Sequence, residues 1–136
     1  MSKLEQTLSI IKPDAVERNL VEEIKNIFIK KNFNIKESKK IHISKDEAAE
    51  FYKVHQSKPF FNDLCSYLSS GPIVVMILEG ENVIKANRIL MGATNPKEAA
   101  DNTIRKLFGI SIDKNSVHGS DSPDNAKKEI KFFFKN

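Results

Sequence analysis

In the segment Asn115-Ser116-Val117-His118-Gly119-Ser120-Asp121-Ser122-Pro123, an imidazole stands beside a glycine and a run of small polar residues. A histidine that only filled a core would have apolar neighbours, whereas Gly119 and the hydroxyls leave room for a reacting group. Ser122 followed by Pro123, with Asp124 next, reads as the N-cap, first position and acidic first turn of a helix. Glu129 falls in the second turn of that helix. From there a carboxylate can reach back to one imidazole nitrogen and leave the other free to act as base or nucleophile. Taken alone, the segment is also compatible with a satisfied structural histidine.

The arginines point the same way. Of the 22 basic residues only three are arginines, so lysine is the ordinary surface cation of this chain. Arg88 and Arg105 lie between the last long apolar run and His118, where a planar fork could grip phosphate oxygens bidentately. Arg18 reads as a loop or surface residue outside any site. The net charge of +4 and a pI near 9.1 suit a polyanionic partner without demanding one. The basic residues are scattered among acids and lack interleaved surface aromatics, which argues against a dedicated nucleic-acid face.

These residues need a scaffold. The 136 residues, 40% of them hydrophobic, fit one domain over positions 1–136. Residues 8–11 form a short apolar strand closed by Lys12-Pro13, which leaves Lys12 at a strand end. Leu20, Val21, Ile24, Ile27 and Phe28 recur at helical spacing. A second strand over residues 33–43 has a polar middle that suggests an edge. Ser44-x-x-Glu47 is a capping box for a helix through about Val54, carrying Tyr52 and His55 at or near its end. A helix over residues 60–69 stops at Gly71-Pro72. Residues 73–78 then form a strand apolar on both faces, hence central. Residues 83–91 are helical, with Asn82 as the cap. Residues 92–117 show little periodicity except over 103–108 and read as a functional loop. A short strand ends near His118, and the last helix turns Ala126, Ile130, Phe133 and Phe134 inward. This order predicts an α/β (α+β) fold of ferredoxin-like type, a four-stranded antiparallel sheet with helices packed on it.

The lone Cys65 excludes an intrachain disulfide and reads as core, which suits a reducing compartment. Residues 1–6 lack an apolar leader and no run is long enough to span a bilayer, so a soluble cytoplasmic protein without membrane association is expected. His42 reads as structural.

Several tags in register resemble the nucleoside diphosphate kinase family. They are Thr7-Leu8-Ser9-Ile10-Ile11-Lys12-Pro13-Asp14, Lys58-Pro59-Phe60-Phe61, Ser70-Gly71-Pro72, Arg88 through Pro96, Thr103-Ile104-Arg105 and the Asn-x-x-His-Gly-Ser-Asp block. The resemblance implies transfer of the γ-phosphate of a nucleoside triphosphate, usually ATP, to a nucleoside diphosphate through a phosphohistidine. That route would maintain NTP and dNTP pools. No Gly-rich phosphate loop competes with this reading, because the chain has only five glycines. Carried over from the family, His118 is the residue phosphorylated, Glu129 and Ser120 orient it, and Lys12 and Tyr52 stand close to the transferring phosphate. His55, Arg88, Thr94 and Arg105 match the phosphate-holding positions. Phe60 matches the residue that stacks on the base, with Leu64 and Ile112 lining the same slot, and Lys12 and Asn115 match the donors to the sugar hydroxyls. The family implies Mg²⁺, held mainly by nucleotide phosphates with Asp121 acting through water, and a homo-oligomer, either tetramer or hexamer.

The chain departs from the family at Asp101-Asn102, where Pro-Gly is usual, at Lys106-Leu107, at Ala15 and Asn19, and in lacking a longer C-terminal segment. These departures bear on the loop near Arg105 and on subunit contacts. The alternative reading is a non-catalytic nucleotide- or nucleic-acid-binding module of the same fold.

Overall fold

The computed structural model describes residues 4–112 and 114–134, so residues 1–3 of the N-terminal stretch lie outside it. Four strands, β1 (Leu4–Ile11), β2 (Asn34–Ile41), β3 (Ile73–Glu81) and β4 (Val117–Gly119), form one sheet in the order β2-β3-β1-β4, with all three pairings antiparallel. Among the described residues seven α-helices accompany them: α1 (Pro13–Glu17), α2 (Val21–Lys30), α3 (Lys45–Phe51), α4 (Phe61–Leu68), α5 (Val83–Met91), α6 (Ile104–Phe108) and α7 (Pro123–Phe133).

β3 is apolar on both faces because both are covered. Val74, Met76 and Leu78 pack with Ile24 and Phe28 of α2 and with Leu90 and Met91 of α5. Ile73 and Val75 pack with Ala48, Cys65, Leu68 and Phe133 on the other side. β2 is the expected polar edge, and its pairing is irregular between Ile35 and Glu37.

The capping box is complete, with Glu47 N donating to Ser44 Oγ at 3.0 Å and Ser44 N donating to Glu47 Oε1 at 2.9 Å. The helix it opens ends at Phe51, earlier than the sequence suggested, and a 3-10 turn over Lys53–His55 follows. The five-residue α1 is too short to leave a periodic signal and was not expected. Asn82 does not cap α5: it lies in the left-handed region with no side-chain bond, and the carboxylate of Glu5 accepts from Ile84 N at 3.4 Å instead. Asn102 is left-handed at φ 68°, a conformation asparagine tolerates better than most residues. Gly119 is required by close packing, because a Cβ there would stand 2.5 Å from Asn87 Nδ2 and 2.8 Å from Met91 Cε. Among the described residues no helix is long and apolar enough to cross a membrane.

Candidate active site

β4 carries His118 and pairs it with Ile10 of β1, so the imidazole projects from a strand anchored to the middle of the sheet. The α7 helix starts where the sequence indicated, with Ser122 Oγ accepting from Asn125 N at 3.2 Å and Pro123 in the first turn. That start brings Glu129 back over the strand. His118 Nε2 lies 3.0 Å from Glu129 Oε1, and Ser120 Oγ donates to the same oxygen at 2.7 Å. A carboxylate is an acceptor only, so the ring proton sits on Nε2 and the lone pair on Nδ1. The edge of Phe51 backs the ring at a centroid distance of 5.4 Å.

Tyr52 is buried beside Phe51, and burial pushes its phenol well above the usual range, so it remains a proton donor at neutral pH. Its ring leads to His55 at 6.3 Å and from there to Phe60 at 6.2 Å. Phe60 is 45% exposed while its neighbour Phe61 is partly buried against the core, so of the two adjacent rings Phe60 is the one open to a ligand. Leu64 shares the first turn of α4 with Phe60, donating its N–H to the Phe60 carbonyl at 3.0 Å, and Ile112 is exposed.

Lys12 caps β1 and is buried, with Nζ donating to Asn115 Oδ1 at 2.9 Å. Asn115 in turn donates to the carbonyls of Thr94 at 3.2 Å and Ile112 at 3.1 Å. A third group lines an open groove of about 990 Å³ beside α5, where Arg88, Thr94, Arg105 and Asp121 meet. His118 is not part of that groove's wall. The groove is linked to the imidazole strand and to Asn115, because Arg105 Nη2 donates to Val117 O next to His118 and Asn115 Nδ2 donates to Thr94 O.

Arg105 is more constrained than the sequence suggested. It is buried and donates from Nη1 to Gly92 O at 3.0 Å and from Nη2 to Val117 O at 2.8 Å, while burial and nearby Arg88 hold its base down to about 10. Asp121 Oδ1 accepts from Asn125 Nδ2 at 2.6 Å; this bond, with help from Arg88, keeps the carboxyl below the usual range. Among the described residues no cluster of three or more His, Cys, Asp or Glu could hold a metal alone. A single ionised carboxylate among arginines instead fits an ion carried in on phosphates.

Arg18 is exposed just past α1, as expected of a loop or surface residue, but it is well partnered. It pairs with Asp14 Oδ2 at 3.0 Å and donates to Phe108 O at 2.6 Å and Ser116 Oγ at 3.3 Å. The cluster of Asp14, Arg18, Tyr67 and Ser116 leaves no sequence signal beyond the four-residue spacing of Asp14 and Arg18, because Tyr67 and Ser116 lie far along the chain. His42 has a structural partner, its Nε2 lying 2.8 Å from Ser69 O, and Cys65 is buried in the core.

Comparison with known proteins identifies the family of the chain. The family model described as nucleoside diphosphate kinase matches residues 5–136. The chain is 58% identical over 131 residues to the nucleoside diphosphate kinase of a Nitratiruptor species, covering 96% of each chain. It is 53% identical over 132 residues to that of Coxiella burnetii, covering 97% of this chain and 95% of the relative. Among solved structures, the Aquifex aeolicus nucleoside diphosphate kinase superposes with a TM-score of 0.97 at 44% identity, covering 98% of this chain and 97% of the other.

Proposed function

The chain belongs to the nucleoside diphosphate kinase family and has that family's activity; from that premise we propose that it works as a single domain through a phosphohistidine on Nδ1 of His118. The observation that carries this reading is the bond from His118 Nε2 to Glu129 Oε1, which leaves the Nδ1 lone pair to attack. In the first half-reaction Nδ1 bonds to the γ-phosphorus, and the bond to the β,γ-bridging oxygen breaks. The nucleoside diphosphate leaves with that electron pair. In the second half-reaction the β-phosphate oxygen of another nucleoside diphosphate takes the phosphoryl group, and neutral imidazole is restored. Glu129, fixed by Ser120, stabilises the positive charge that the ring gains in between.

Lys12 and the protonated Tyr52 face the transferring phosphate, while His55, Arg88, Thr94 and Arg105 hold the phosphate chain. Phe60 stacks on the base with Leu64 and Ile112 at its side, reading only a π-face, which makes acceptors of different bases equivalent. Lys12 and Asn115 address the sugar hydroxyls. Mg²⁺ would supply neutralisation of phosphate charge, and Asp121 would hold it through water. The exposed Leu107 and Ile110 support assembly into a homo-oligomer, a tetramer or hexamer, and the buried Cys65 thiol suits the cytoplasm. A nucleotide- or nucleic-acid-binding module without turnover is not favoured, because it has no use for an imidazole fixed by a carboxylate.

The test is brief incubation with γ-labelled ATP, mapping of the label, and a chase with a different nucleoside diphosphate. Label on His118 that passes to the acceptor is expected. His118→Ala should lose both labelling and exchange while still binding nucleotide, and near-normal turnover in that variant refutes the mechanism.

A further inference from the structure

Asp14 makes no contact with the imidazole, yet its carboxylate is almost completely buried, with only 3% of the side chain accessible. A buried charge persists only where donors surround it. Here the Tyr67 hydroxyl and Ser116 N, at 3.3 Å, donate to Oδ1. Arg18 Nη2 at 3.0 Å and Ser116 Oγ at 2.9 Å donate to Oδ2. Two of these four bonds end on one residue, and that residue is conformationally unusual. Ser116 has φ of 73°, while every other non-glycine residue found in the left-handed region among the described residues is an asparagine. Serine has no comparable tolerance for this region, so the turn must be held from outside.

All three polar groups of Ser116 are engaged. Its N–H and hydroxyl go to Asp14, and its carbonyl accepts from Lys12 N at 2.8 Å. The preceding residue is Asn115, whose Oδ1 accepts from Lys12 Nζ. Both ends of Lys12 are therefore tied to a turn whose shape Asp14 imposes. Arg18 extends the brace to the end of α6 through Phe108 O.

We infer that Asp14, braced by Arg18 and Tyr67, is a positioning residue of the transfer site: by holding Ser116 in its left-handed turn it sets where Asn115 and the Lys12 ammonium meet the nucleotide sugar. The inference rests on the reading of Lys12 and Asn115 given above. It separates this carboxylate from a purely structural ion pair, which would affect melting and leave substrate discrimination alone.

The experiment compares kcat/KM for acceptor diphosphates with and without the sugar 3′-hydroxyl, well below the melting temperature, alongside labelling of His118 by γ-labelled ATP. The wild-type chain should prefer the hydroxylated acceptor by about ten-fold or more, as expected for a hydrogen bond to charged or well-placed donors. Asp14→Asn keeps the volume but turns an amide N–H toward Arg18 or Ser116, so the preference should fall several-fold. Ser116→Gly adopts the left-handed turn unaided, so in that background Asp14→Asn should cost much less discrimination.

A lowered melting temperature with the preference unchanged in Asp14→Asn overturns the inference. So does an equal loss in the Ser116→Gly background, because Asp14 would then not act through the turn. A wild-type chain that labels on His118 yet shows no 3′-hydroxyl preference overturns the sugar role of Lys12 and Asn115, and the inference with it. Absence of labelling overturns the phosphohistidine reading itself. If Asp14→Asn does not fold, Arg18→Lys, which breaks the fork between Asp14, Ser116 and Phe108, must lower the preference for the inference to stand.

Discussion

Replacing Glu129 with glutamine keeps the volume of the side chain and removes the charge that the proposed mechanism needs at one moment only. In the resting chain the carboxylate oxygen accepts from His118 Nε2 at 3.0 Å and from Ser120 Oγ at 2.7 Å. When Nδ1 takes the phosphoryl group, the ring becomes cationic with its proton still on Nε2, so the carboxylate interaction is stronger in the transition state than before it. The His118 and Glu129 side chains are only 22% and 21% exposed, so solvent screens the pair incompletely. A hydrogen bond to a charged partner contributes about 1.5–3 kcal/mol. Losing that much from the barrier slows phosphorylation of the histidine by roughly ten- to 150-fold. Ser120 Oγ keeps its bond from Leu8 N at 3.2 Å in the variant, so strand β4 stays in place and stability should change by no more than about 1 kcal/mol. Rapid-quench measurement of phosphohistidine formation with γ-labelled ATP, beside a thermal melt, separates the two quantities. A wild-type rate of phosphorylation in Glu129→Gln refutes the assignment of Glu129 as the group that orients and stabilises the ring. A large loss of stability would instead make it a fold residue.

Arg105→Lys should lower both stability and kcat/KM, because an ammonium cannot span the Gly92 and Val117 carbonyls that the guanidinium bridges; about 1–3 kcal/mol of unfolding free energy is expected from the orphaned acceptors. Urea melts and steady-state rates check this, and wild-type values for both would remove Arg105 from the site and from its support. Phe60→Ala should weaken binding of every base by a similar amount, about 1–3 kcal/mol, since stacking is indifferent to base identity. Calorimetric titration with purine and pyrimidine diphosphates tests it, and a loss confined to one base would point to hydrogen-bond readout. The only two tyrosines, Tyr52 and Tyr67, both have phenols pushed above the ordinary value of 10.0, Tyr52 by burial and Tyr67 by burial and its bond to Asp14. The folded chain therefore holds two protons that the unfolded chain releases, and stability should fall as pH rises above about 10. Absorbance at 295 nm should show phenolate only together with loss of near-ultraviolet dichroism; titration of either ring in the folded chain contradicts the burial argument.

The parts of the site that share a local signal were readable from the sequence. The block from Asn115 to Pro123 places an imidazole before a capped helix, and the spacing from Ser122 to Glu129 already implied that the carboxylate returns over the strand. Ser44 and Glu47 announced their helix in the same way. What failed depended on distance. Asn82 has the right type for a cap, but Glu5, from the far end of a neighbouring strand, takes the α5 amide while Asn82 occupies a left-handed turn. Arg18 read as a loop or surface residue without partners because Ser116 and Phe108 are about a hundred positions away, although Asp14 stands only four residues before it. Arg105 was read only for phosphate, and its second duty of bridging two backbone carbonyls becomes visible only once α6 and β4 are side by side.

The missing side chain at Gly119 has a consequence for how freely this protein can be altered. With Asn87 and Met91 already where a methyl group would go, helix α5 and strand β4 behave as one solid piece. A bulkier residue on the inner face of that helix, in contact with no nucleotide, would be felt at once as displacement of the neighbouring imidazole. The outer positions Lys85 and Ile89 carry no such linkage but line the groove beside Arg88. Changes to this helix are thus limited on one side by the groove and on the other by packing, and the second limit is drawn by a residue that performs no chemistry.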